Sequence, residues 1–428
     1  MTIRAQVFKI FQLGSAIGFT AVVLPILYLI EPFWRIRIGF LVEDRIGHLS
    51  TDVEFYLRQQ SMDGPRPRTT VLFIVWNPAN RQLLEMWRRQ LNIVESRWLR
   101  RASHGFDAIL RRTRFFEAIP VTHPKRHDLI VHEAPVISFT ADEGDRGGDL
   151  LRKMGVGEND WFVCFHTRDP VYIATREGFG DKPSWQDNNT FRNCSIENYY
   201  MAARWIADQG GFAIRMGSAV EKALPDLGPR VIDYATHYRS AFGDVYLPAK
   251  CRFFLGGAAG LNNISLIFDV PIALANWSTY YHSGHGPNNI YNPKLLRRAN
   301  GDLVSFPELK RLGFFDIDGR KESLSILASQ LDLEWAENSP EEVLGICQDM
   351  VEKLEGIPPA PEAARLQEVY RTFYPEEEAH PLASPIAPRF ALKYSQLIQP
   401  SSKECTSAPL GRARGSTAEQ PRNDGTTL

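Results

Sequence analysis

Along most of this chain, short apolar runs alternate with polar stretches of helical pattern. Ile36, Ile38, Phe40 and Val42 sit at alternate positions, which predicts a strand over "RIRIGFLV". Gly47-His48 then reads as a turn and Thr51 to Gln59 as a helix. "TTVLFIVW" (69–76) predicts a second, buried strand, with a helical stretch from Arg81 to Leu91 behind it. "DLIVHEAPVISFT" holds a further apolar run, and the acidic, glycine-rich "ADEGDRGGDLL" (141–151) reads as the connection between domains, near residue 150.

The second half repeats the alternation. "DWFVCFHTRD" is a strand and its exit, and "SIENYYMAARWIADQG" is a helix capped by Ser195 with Gly210 near its end. "GFAIRMG", "RVIDYA" and "RFFLGGAAGLNNISLIF" continue the strand series, and "VPIALANW" closes it. Strands alternating with helices imply βαβ units and parallel sheets. The expected fold is therefore α/β, with two Rossmann-like domains, 35–150 and 151–400, facing a cleft. Helices follow from Lys321 to Gly356, and the polar stretch 401–428 reads as a disordered tail.

Residues 1–34 differ in kind. From Ile10 to Ile30 there is no charged residue, about the length that crosses a bilayer. Arg4 and Lys9 precede this stretch, Arg35 and Arg37 follow it, and no small-residue cleavage site marks its end. It reads as a hydrophobic helix that spans a membrane or lies in its plane, with the body of the protein on the cytoplasmic side.

Composition narrows the picture. A chain of 428 residues suits two α/β domains with appendages. A net charge of -1 gives no reason to expect nucleic-acid binding. Five cysteines without a CxxC pair argue against a disulfide framework and a structural zinc site. Cys164 and Cys251 lie in apolar runs and read as core residues, in keeping with a reducing compartment.

Candidate chemistry gathers at strand exits, where open α/β sheets bind ligands. His166, Arg168 and Asp169 crowd one exit, and an arginine offers a rigid fork suited to two phosphate oxygens. For Arg168 the alternative is an ion pair with Asp169 across the domain interface. Arg215 and Gly217 occupy the next exit; Arg215 carries little weight alone, but the two strand ends could face one pocket. Gly256, Gly257, Gly260 and Asn262 form a glycine-rich turn into a helix, a candidate anion site that lacks both the GxGxxG pattern and a P-loop lysine. Tight helix–sheet packing is its alternative. Asp44 and His48, after the first strand, are candidate general bases. Asp316-Ile-Asp318 has the spacing of a metal-binding pair, although a turn ending at Gly319 explains it as well, and no metal site is assigned.

The run from "CFHTRD" through "RNCSIENYYMAARWIADQGGFAIRMG", "VIDYA", "DVYLPAKCRFFLGGAAGL" and "VPIALANW" resembles a bacterial glycosyltransferase family often encoded with surface-polysaccharide genes. "LPILYLIEPF" and "RIGHLSTDVEFYL" extend the resemblance over most of the chain. Ala259 departs from it, since the family's turn is expected to read Ser-Gly. The H-x-R segment followed by "SIENYYM" is similar, more distantly, to the donor-binding region of GT-B fucosyltransferases, where the arginine contacts the donor diphosphate. The resemblance implies a GT-B-like fold and transfer from a nucleotide sugar to a lipid-linked or glycan acceptor, at the cytoplasmic face of the bacterial inner membrane. It implies no cofactor beyond the donor substrate, and no metal. A nucleotide-sugar epimerase and a non-catalytic polysaccharide-assembly protein are the competing classes.

Overall fold

A computed structural model describes residues 18, 20–119, 127–168, 171, 190–284, 286–316, 324–376 and 379–400. The expected tail, Asp169 and Asp318 lie outside the described residues, as does most of the N-terminal stretch; residues 20–30 form a helix, α1.

The first sheet is built from β1 (Arg35–Phe40), β2 (Thr69–Val75), β3 (Asn92–Glu95) and β4 (Phe116–Glu117). All pairings are parallel, in the order β3-β2-β1-β4. Helices α2 (Ile46–Asp63), α3 (Arg81–Arg88) and α4 (Arg97–Leu110) connect them. α2 and α3 pack Leu49, Val53, Leu83 and Trp87 on one face around Phe73 and Val75. α1 and α4 cover the other with Leu27, Phe106 and Leu110 against Ile38, Ile74 and Phe115. Burying both faces is what a parallel sheet requires.

The second sheet contains β5 (Phe162–His166), β6 (Phe212–Arg215), β7 (Val231–Asp233), β8 (Phe254–Gly256), β9 (Ile272–Trp277) and β10 (Ile290–Pro293). It too is wholly parallel, ordered β10-β9-β8-β5-β6-β7. The chain runs outward from β5 to β7, returns to β8, and runs outward on the other side. The order therefore reverses between β5 and β8, where a doubly wound sheet opens its ligand crevice. The two parallel sheets bear out the expected α/β fold.

Three local readings need correction. Gly47 and His48 are not a turn but the first turn of α2, which begins after Arg45 in extended backbone. The glycine-rich connection is a helix, α6 (Ala141–Lys153), after the short helix α5 (His127–His132). A capping box starts α6: Thr140 accepts from the Glu143 amide while the Glu143 carboxylate takes the Thr140 amide. α6 straddles the expected boundary, because Glu143 bonds Gln82 and Arg89 in the first half while Gly147 lies against Tyr246 in the second. Finally, β9 does not close the series, since β10 adds an outer strand.

Arg58 locks the halves together. It is fully buried on α2 and donates to Glu54 (2.8 Å), to the Leu129 and Glu133 carbonyls (3.2 and 2.7 Å), and across to Asp269 (3.1 Å) and the Ile267 carbonyl (3.4 Å). Removing one partner from such a buried ionic cluster strands the others without water, which is strongly destabilising.

Candidate functional site

The strand exits of the two sheets meet. Asn263 donates its side-chain amide to the Gly47 carbonyl and to the Thr51 hydroxyl, both at 3.4 Å. Gly260 approaches Gly47 so closely that an added Cβ would lie 3.0 Å from the Gly47 nitrogen. The glycine turn is thus used for contact between the halves. Its helix, Asn262–Ile267, is one short stretch of six residues, and Gly257 packs over the Cys194 sulfur and the Ala275 carbonyl. These packing contacts account for Gly257 and Gly260 without an anion, the alternative reading of the turn.

β5 delivers His166 opposite Gly256 at the point of reversal, with Arg168 two residues on. The Arg168 amide bonds the Cys194 sulfur, which ties this exit to the segment 190–194. That segment carries Arg192, which the sequence reading did not single out. Arg192 donates Nε and Nη2 to the Ala258 carbonyl at 3.0 and 2.6 Å. Lys294, buried at the end of β10, holds both flanking carbonyls: Phe191 at 3.0 Å and Asn193 at 2.6 Å.

Like charges are therefore gathered in a poorly solvated place. Burial pushes the Arg168 guanidinium down to about 10, and the charge of Arg192 acts in the same direction. Burial lowers Arg192 as well; the Tyr281 oxygen opposes this, and the charge of Arg45, from the start of α2, reinforces it. Lys294 is lowered by burial too. No carboxylate among the described residues pairs with Arg192. Holding guanidinium groups near one another costs free energy that an anion placed between them would return.

In the first half, His48 Nδ1 lies 2.9 Å from the Asp52 carboxylate, one helical turn on along α2. Asp52 is buried and the imidazole half-exposed, so the acid orients the ring and leaves Nε2 as its second nitrogen. Asp44, the other candidate base, is half-buried in the turn before α2. Glu43 beside it is buried and committed to Arg100 at 2.8 Å and the Trp76 amide at 3.2 Å.

Arg215 does not join this group. Its guanidinium is buried, donates to the Lys222 carbonyl at 2.8 Å and faces Asp233, directly opposite in β7, at 3.4 Å. Donor contact by Arg215 is thus replaced by an internal ion pair. Gly217 lies beside the His166 ring, 3.9 Å from where a Cβ would stand. Asp316 is exposed, and no cluster of three metal-ligating side chains occurs among the described residues.

Neither a family model nor a curated protein matches this chain. Among solved structures, it is similar to a glycosyl transferase family 9 protein from Veillonella parvula, at 12% identity over 75% of this chain and 98% of that one, with a TM-score of 0.43. It is also similar to E. coli ADP-heptose LPS heptosyltransferase II, at 11% identity over 74% of this chain and 99% of that one, TM-score 0.45. The dodecameric, iron-containing glycosyltransferase TibC from E. coli is a third, at 11% identity over 74% of this chain and 76% of that one, TM-score 0.36. These likenesses are distant, and the chemistry of the site rests on its own residues.

Proposed function

We propose that this protein is a glycosyltransferase that moves a sugar from a nucleotide-sugar donor to a lipid-linked or polysaccharide acceptor in bacterial surface glycan synthesis. One observation carries the reading: Arg168 and Arg192 are half-buried and near enough for the charge of Arg192 to act on Arg168, at the point where the second sheet reverses its strand order. A leaving nucleoside diphosphate develops negative charge as the glycosidic bond breaks, and preorganised cations in a dry cleft stabilise that charge. Arg45 approaches the same place from the opposite half.

His48 is the base in this reading. With Nδ1 held by Asp52, Nε2 takes the proton of the acceptor hydroxyl as its oxygen attacks the anomeric carbon. The electron pair of the breaking bond leaves with the diphosphate toward Arg168 and Arg192. Cations from the protein itself make a divalent metal dispensable.

The test is nucleoside diphosphate release by full-length protein from a panel of nucleotide sugars, with and without lipid-linked oligosaccharide acceptors, in excess chelator. Acceptor-dependent release is expected. Epimer formation without acceptor would replace transfer by epimerisation, and binding without turnover would make the protein an assembly factor. Strict metal dependence would return attention to Asp316 and Asp318.

A further inference from the structure

Helix α1 is apolar all round, yet only one side of it is covered. Leu27, with Val23 and Leu24, packs on the Phe115 and Ile38 core, and Tyr28 meets the Phe115 ring edge-on at 4.8 Å. The opposite side carries Val22, Ile26 and Leu29 at helical spacing, and Phe33 continues the stripe beyond the helix. They are 60, 48, 76 and 77% exposed, and Trp34 beside them is 48% exposed. A contiguous apolar stripe on a folded surface marks an interaction site.

Its border is cationic. Arg114 lies over the Tyr28 ring at 5.2 Å and Arg35 follows Trp34; their side chains are 61 and 56% exposed. Exposed Arg68 is joined to Arg35 through the backbone, its carbonyl accepting the Arg35 amide at 2.8 Å. Glu31 is the acid between them, bonded to both Arg35 and Arg114, so the edge keeps an excess of positive charge.

We infer that this face docks on an anionic lipid surface, with the apolar stripe among the acyl chains and the arginines at the headgroups. Among the described residues no helix is long and apolar enough to cross a membrane; in-plane contact is the proposed mode because the other side of α1 is packed on the first sheet through Leu27. Residues 1–17 are the competing cover, but they contain Arg4 and Lys9 and no acid, so they cannot neutralise the arginine border. A second copy would bring the same positive border against its own. The inference does not depend on the donor reading.

Flotation of the full chain with vesicles tests it. Wild type is expected to float with phosphatidylglycerol-containing vesicles, to lose binding as salt rises, and to bind pure phosphatidylcholine weakly. Leu29→Glu with Phe33→Glu should reduce partition roughly tenfold or more. Both side chains are exposed, so the melting transition should stay near that of wild type. Three results would overturn the inference: wild type that stays with the soluble fraction, a double variant that floats as wild type does, or salt-independent binding to neutral vesicles. A dimer that this variant dissociates, with no vesicle binding by wild type, would assign the face to a second copy instead.

Discussion

Gly47 and Gly260 touch backbone to backbone, and at that contact the first turn of α2 meets the turn that follows β8. A Cβ on Gly260 would stand 3.0 and 3.1 Å from the Gly47 nitrogen and Cα, atoms that cannot rotate away. Gly260→Ala should therefore push the halves apart and destabilise the fold by about 1–3 kcal/mol. Donor affinity should weaken with it, because Arg45 and Arg192 come from opposite sides of the contact. Gly148→Ala, on a helix and facing open space, serves as control and should be neutral or slightly stabilising. Equal melting of Gly260→Ala and wild type would remove the contact from the account.

Lys294 acts on Arg192 through the carbonyls on either side of it. Lys294→Met leaves those buried carbonyls without their cation and frees the segment that carries the guanidinium. We expect the donor KM to rise roughly tenfold while kcat changes little. A general loss of stability with KM unchanged would make the lysine structural only.

The proton-transfer reading separates three side chains. His48→Ala should lower kcat by about a hundredfold or more with donor KM retained, and Asp52→Asn should cost less because the imidazole remains. Asp44→Asn should be mild. If Asp44→Asn instead falls furthest, the base is Asp44 and the His48–Asp52 pair is structural.

How much of this was legible depended on whether the signal was local. The β5 and β6 strands and their exits were visible because apolar runs stop abruptly at charge. The same signal stands at Arg168 and Arg215, and only the register of β7 shows Asp233 standing across from Arg215. Arg192 and Lys294 come from separate segments that meet only in the fold, and neither lies in a conspicuous pattern. Two features were readable but passed over. The Thr140-x-x-Glu143 box announces α6 despite its glycines, and His48 and Asp52 have the i, i+4 spacing of helix neighbours.

Asp244 gives a pH dependence with a definite sign. Burial raises its carboxyl to about 6, with Arg239 and then the Tyr234 hydroxyl opposing. In an unfolded chain the value is about 3.9. The fold thus favours the protonated acid, so this group's contribution is most favourable below the unfolded value and declines as pH rises through about 6. Asp244→Asn does not titrate. Denaturant midpoints of both proteins between pH 4 and 7 should show wild type gaining on the variant as pH falls; a constant difference would contradict the assignment.

The central claim, a cationic diphosphate site at Arg168 and Arg192, is tested most directly by calorimetric titration with a panel of nucleoside diphosphates. At least one should bind wild type, more weakly at higher salt. Arg192→Gln and Arg168→Gln should each weaken that binding by roughly ten- to a hundredfold, and Arg168→Lys should recover only part of it. Binding of no diphosphate, or equal binding by wild type and both glutamine variants in folded form, would contradict the account.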